Sequence, residues 1–307
     1  KLDRLAGTGE AHGEDDDDLF PEDAANARRK RSHQETEARM QFYSTMAQTL
    51  AKGAWDGDRD SLDTPPEPEV WSPVAAEGAS CTGKHCPAFS QCTYYDKRKE
   101  LVGAQVIVAN HDLLLSSLGA RVLPELDNCL LVLDEAHHLP ATALAQFACS
   151  MDLSRVTWIE RLSSRGLRIG ALLEVEEIAD IPRHAAQLRQ TLQDLARIVM
   201  DVYGDNLKSQ KDTWGPARVR VPRGELPEPL IAPLGLLAAS ADGFLEALRA
   251  ISKALRAEMR DKPDEARRLS QLYAQIGMLA PRLEHASDTA QLLLQHAPDD
   301  APANYVP

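Results

Sequence analysis

Residues 130–140 read LLVLDEAHHLP, four aliphatic side chains running into two acids and then two histidines. Four aliphatics in a row, with no polar alternation, have no face to offer water. Such a run suits a strand buried on both faces of a parallel sheet. A second run of this kind, Val106 to Ala109 in AQVIVANHDLLL, lies upstream. The segment between them, roughly 110 to 125, is long enough for a crossover connection, so an α/β unit is expected over residues 100 to 145. Two carboxylates at the carboxyl end of a parallel strand stand where open α/β sheets bind ligands. In nucleoside triphosphatases the first acid there holds the magnesium on the phosphates, and the second orients or deprotonates the attacking water. Asp134 and Glu135 fit these roles, with His137 placed to couple the nucleotide to a neighbouring domain. The alternative is a strand followed by a helix whose acidic first turn complements its dipole.

A second constellation precedes the aliphatic runs. SCTGKHCPAFSQC, residues 80–92, holds Cys81, Cys86 and Cys92, three of the five cysteines, spaced C-x4-C-x5-C. With Gly78 in front it also spells Gly78-x4-Gly83-Lys84-His85, one residue away from a phosphate loop. That loop needs a Ser or Thr hydroxyl for magnesium, which His85 lacks, and a preceding strand, which the proline-rich TPPEPEVWSPVAAEGAS does not provide. In a reducing compartment, clustered thiols bind metal or do redox work more often than they pair. Zinc usually takes thiols at C-x2-4-C, whereas an iron–sulfur cubane takes four thiolates at its separated corners. The gaps here suit the cubane. His85 is available as a fourth ligand, which keeps zinc open, and three inert cysteines remain a further reading. Cys129 and Cys149 are expected to be buried as small apolar residues.

The rest of the chain bounds the partners. A formal net charge of -13 excludes nucleic-acid binding through the whole surface, because phosphates must be met by Lys and Arg. Any such contact is local. Candidates are Arg28 to Arg31, Lys97 to Lys99, and KSQKDTWGPARVRVPR, which sets Trp214 among Lys208, Lys211, Arg218, Arg220 and Arg223. Each reads equally well as a solvated charged face. No apolar run approaches the roughly 18 residues of a membrane span and no secretory leader is visible, so a cytosolic protein is expected. The first residue is Lys1 rather than Met, as in an excised piece.

Apolar spacing predicts helices elsewhere. GEDDDDLF reads as a solvated loop, and Pro21 to about Lys52 as a helix with Met40, Tyr43, Met46 and Leu50 on one face, ended by Gly53. YYDKRKELVGA is a charged helix after the last thiol. Beyond residue 150 three stripes recur: Leu188, Leu192, Leu195, Ile198, Val199 and Val202; Leu245, Leu248, Ile251 and Leu255; and Leu269, Leu272, Ile276, Leu279 and Leu283. Pro182 suits the first turn of its helix. The Pro- and Gly-rich stretch 204 to 235 is expected to be loop or hairpin.

CTGKHCPAFSQC, then VIVANHDLLL, then LVLDEAHHLP, in this order and spacing, resembles the DinG family of bacterial XPD-like, superfamily 2 iron–sulfur DNA helicases. The three motifs cover about residues 80 to 140. By that resemblance residues 1–99 form an iron–sulfur domain, 100–148 an α/β part of RecA-like motor domain 1 with its DEAH box, and 149–307 a mainly helical inserted arch domain. Asp134 and Glu135 are then the acids that serve Mg2+ and ATP, and His137 closes the DEAH box. Cys81, Cys86 and Cys92 become three of four ligands of a [4Fe–4S] cluster. The resemblance implies a monomeric, cytoplasmic, ATP-dependent 5′-to-3′ helicase that binds single-stranded DNA in repair or replication, with a single-stranded-DNA-binding protein as partner and no membrane. No cysteine precedes Cys81, no phosphate loop occurs, and Lys1-Leu2 resembles the residues just after the family's first ligand. These 307 residues by themselves are therefore expected not to turn over ATP. From another class, the competing reading is a non-catalytic module in which a zinc-bound loop and helical bundle bind a protein.

Overall fold

The computed structural model describes residues 33–71, 73–76, 78–86, 88–120, 122–124, 126–127, 129–209, 218–221 and 225–295, with Leu2. They fall into two compact units: residues 1–77, 90–108 and 122–124 in the first, and 78–89, 109–121 and 125–307 in the second.

In the first unit α1 (His33–Ala51) carries Tyr43 and Ala47 on its buried face, while Met40, the first member of the expected stripe, is exposed. Gly53 ends this helix, as its spacing predicts. Its φ of 67° is the left-handed value that glycine adopts without steric cost, and its N–H donates to the Leu50 carbonyl. Tyr43 donates its hydroxyl to the Val70 carbonyl in α2 (Pro68–Trp71), fixing the return of the chain. The charged helix after the last thiol is α3 (Thr93–Val102).

The second unit begins along the chain with the loop 78–89 and α4 (His111–Ala120), which packs on α5 (Leu139–Gln146). It continues as a bundle of α6 (Thr157–Leu172), α7 (Ile181–Ser209), α8 (Glu228–Asp261), α9 (Ala266–Gly277) and α10 (Ala280–Leu293). Helix α8 is central and touches the other four. The stripes behave as their period requires: Leu188, Leu192 and Leu195, then Leu245, Leu248, Ile251 and Leu255, are all buried. Leu269, Ile276 and Leu283 are buried too, with Leu272 and Leu279 packed at the edge of the core, whereas Val202 points outward. Helix α7 begins at Ile181, with Pro182 in its first turn.

Two glycines outside the predicted stripes leave room on α6 for its neighbours. A side-chain carbon on Gly166 would lie 3.2 Å from Ile181 and 3.4 Å from Leu248, and one on Gly170 would lie 3.4 Å from Ile251 and collide with Ile178. Four residues apart on α6, they share one face and leave room for the neighbouring side chains.

Two expectations need correction, and a third is not met among the described residues. The stretch 204–235 is not all loop, because α7 runs to Ser209 and α8 starts at Glu228 with Pro233 inside it. Leu230, Leu234 and Leu237 bury on one face there, and that burial outweighs the single hydrogen bond Pro233 removes. Second, an 18-residue window of α8 reaches a mean hydropathy of 1.4, long and apolar enough to cross a membrane, contrary to the expectation of no such run. Half of that window is buried within the protein, which accounts for its apolarity. Third, no β-strand is assigned among the described residues. Val106, Val108, Leu130 and Val132 are 80, 93, 90 and 78% exposed. A strand exists by virtue of neighbours that take its backbone hydrogen bonds, and these runs have none among the described residues.

Candidate functional site

The second aliphatic run ends in a sharp turn. Glu135 adopts φ 50°, ψ 39°, a left-handed conformation rare for a residue with a side chain. Its N–H donates to Asp134 Oδ1 at 3.0 Å, and its carbonyl accepts from His138 N–H at 2.9 Å, closing a short 3-10 turn over Ala136–His138. The reversal presents Asp134, Glu135, His137 and His138 together as exposed side chains. His137 Nδ1 lies 3.1 Å from Glu135 Oε2, and the rings of His137 and His138 have centroids 3.9 Å apart. Donor atoms of Glu135, His137 and His138 all lie within 4.8 Å of one another, a set able to hold a divalent cation.

His111, to which sequence reasoning assigns no role, joins this turn. Its Nε2–H donates to the Asp134 carbonyl oxygen at 3.1 Å, linking the end of the first aliphatic run to the acids. Asn110 beside it caps α4, its side-chain oxygen accepting the Leu113 N–H at 2.8 Å. The only signal in the sequence is the polar triplet Asn110-His111-Asp112 ending an apolar run.

None of the five cysteines is in a disulfide. Cys81, Cys86 and Cys92 are partly exposed; Cys81 and Cys86 belong to the second unit and Cys92 to the first. Gly83, at φ 57°, directs its N–H to Cys81 Sγ at 3.4 Å. Cys86 N–H donates to the Gly83 carbonyl, and the Cys92 carbonyl accepts the Asp96 N–H at the start of α3. By residue type alone, three thiols are three of the four donors that an iron–sulfur group takes. Cys149 is half-buried and Cys129 is exposed, against the expectation that both are buried. Cys129 sits on an irregular segment and turns its thiol to the Leu126 carbonyl.

Of the basic segments, Arg28–Arg31, Lys211, Trp214 and Arg223 lie outside the described residues, as does GEDDDDLF. Lys97 pairs with Asp56 at 3.8 Å, Lys99 with Asp96 at 2.8 Å, and Lys208 with Asp205 at 3.5 Å. All are exposed pairs of small energetic weight, so these cations are exchangeable onto other anions.

Residues 78–157 match the DEAD_2 family model, a stretch running from the thiol loop through the acids and past α5. By class, then, this stretch is similar to part of a helicase. Over 261 residues it is 30% identical to the ATP-dependent DNA helicase DinG of Photobacterium profundum, an alignment that covers 83% of this chain and 36% of that relative. It is 37% identical over 105 residues to the protein of that name from Shigella flexneri, covering 34% of this chain and 14% of the relative. The figures for Escherichia coli (strain K12) are 37% over 101 residues, 33% and 14%. Over these residues the chain is similar to a segment of DinG/XPD-like helicases, and it spans about a third of the length of the first of these relatives.

Proposed function

We propose that this chain is the iron–sulfur, DEAH-box and arch portion of an ATP-dependent DNA helicase that moves 5′ to 3′ on single-stranded DNA. The observation that carries the reading is the exposed Asp134–Glu135 turn, which directly follows an aliphatic run inside the family-matched stretch. Residues 1–99 would be the iron–sulfur domain, 100–148 part of RecA-like motor domain 1, and 149–307 the arch. The exposed faces of Val106, Val108, Leu130 and Val132 support the motor assignment, since neighbouring strands of a parallel sheet would cover them.

In this reading Asp134 holds the magnesium that accompanies ATP, supplying charge neutralisation at the phosphates. Glu135 takes a proton from the attacking water, and His137, 3.1 Å from Glu135, couples the nucleotide to a neighbouring domain. Cys81, Cys86 and Cys92, with a fourth thiolate, hold a [4Fe–4S] cluster that braces the loop. Lys208, Arg218, Arg220 and the segment around Trp214 contact the DNA backbone and bases without reading sequence, which reconciles binding with the net charge of -13. A cytoplasmic monomer acting in repair or replication beside a single-stranded-DNA-binding protein completes the proposal.

The test is a pair of substitutions in the protein carrying this chain. Glu135→Gln is expected to lower ATP turnover by about 100-fold or more while sparing nucleotide and DNA binding, because a group acting on the attacking water contributes in the transition state. Asp134→Asn should instead weaken magnesium-dependent nucleotide binding. Equal and mild effects from both would return the acids to the role of a helix-capping turn.

A further inference from the structure

We propose that α9 is the seat of the thiol loop and that Gly277 is the positioning residue that allows Cys81 to be held there. The loop segment 78–89 belongs to the same compact unit as the helical bundle, and its 3-10 turn Gly83–His85 packs on α9. At the last residue of that helix, Gly277, a side-chain carbon would land on the Ala79 carbonyl and lie 2.8 Å from the Cα of Ser80. Both obstacles are main chain, which cannot step aside as a flexible side chain does.

Two helical turns earlier on the same face, Ser270 Oγ lies 2.9 Å from Thr82 Oγ1. Ser80 is itself 8% exposed, its hydroxyl buried with no hydrogen-bond partner among the described residues. Cys81 is therefore flanked on both sides by residues pressed onto one helix. On the same helix Tyr273, between Ser270 and Gly277 on their face, and Leu269 and Ile276 beside it are buried in the core, and Arg168 ties Gln275 to α6. A helix anchored in the core thus holds the backbone on either side of Cys81.

The bundle thus fixes where this sulfur stands before any metal arrives. The inference deepens the reading of Cys81 as a cluster ligand and rests on that reading for its consequence alone. Its test is run on reduced, metal-free protein, so the two fail separately.

The experiment is the rate of iodoacetamide alkylation at each cysteine, resolved by mass spectrometry. Gly277→Ala should raise the Cys81 rate about 10-fold, and Thr82→Val by about 2- to 3-fold, by opening the loop locally. Cys129 and Cys149, outside the loop, should keep their rates. The same variants, purified anaerobically, should retain less iron than the unaltered protein. A protein that never holds iron would overturn the cluster and leave the seat standing. Unchanged Cys81 labelling in both variants, or an equal rise at Cys81, Cys129 and Cys149, would overturn the seat. If Gly277→Ala loses helicity, Thr82→Val, which adds no bulk at the contact, decides.

Discussion

His111 and Asp134, separated by 23 residues, meet through a 3.1 Å hydrogen bond from the imidazole Nε2–H to the main-chain carbonyl. The bond pins the carbonyl just before the left-handed turn at Glu135, so His111 sets where the acids stand without being one of the groups that act. On the role proposed for Glu135, His111→Ala in the protein carrying this chain is expected to lower ATP turnover by about 10-fold or more through misplacement of that acid, with a smaller change in nucleotide affinity. Steady-state kinetics separating kcat from KM check this. A loss confined to KM would assign His111 to binding instead.

Cys86→Ser should abolish the iron–sulfur absorbance of anaerobically purified protein. Replacing one of the clustered thiolates removes a corner ligand that a hydroxyl does not replace. Stoichiometric zinc with no iron in the unaltered protein would decide for the zinc-bound interaction module.

Gly170→Ala should destabilise the helical bundle by about 1–3 kcal/mol, since the added carbon meets Ile178 in a packed core. Gly166→Ala, whose nearest neighbour would be 3.2 Å away, should cost less. Ile251→Ala, fully buried against the same helix, should cost about 2–5 kcal/mol. Urea unfolding followed by far-ultraviolet circular dichroism ranks the three.

Burial pushes the Tyr43 phenol above its ordinary value, with the nearby Arg39 charge opposing the shift. A raised folded value means that the folded state holds this proton more firmly than the unfolded one. The associated stability is complete below about pH 10 and is lost as pH rises through the folded value. Tyr43→Phe should remove this alkaline dependence and cost about 1 kcal/mol by leaving the Val70 carbonyl without its donor. Hydrogen exchange over residues 43–70 at rising pH measures both.

Much of the site and of the bundle is local information. The spacing of Leu188, Leu192 and Leu195, or of Leu248, Ile251 and Leu255, names a buried face because the helical period repeats within a few residues. The neighbours Asp134 and Glu135, and the intervals among Cys81, Cys86 and Cys92, are legible for the same reason. Pro233 misleads because its local penalty is visible in sequence while the burial of Leu230, Leu234 and Leu237 that overrides it is not. The bond from His111 to Asp134, the room left by Gly170 beside Ile251, and the contact of Gly277 with Ala79 join residues far apart in the chain. Which glycine is a gap and which histidine is a brace depends on what the fold brings opposite. The aliphatic runs at 106–109 and 130–133 mark the same limit from the other side. Sequence supplies a strand's composition, but only neighbouring strands supply the hydrogen bonds that make it one.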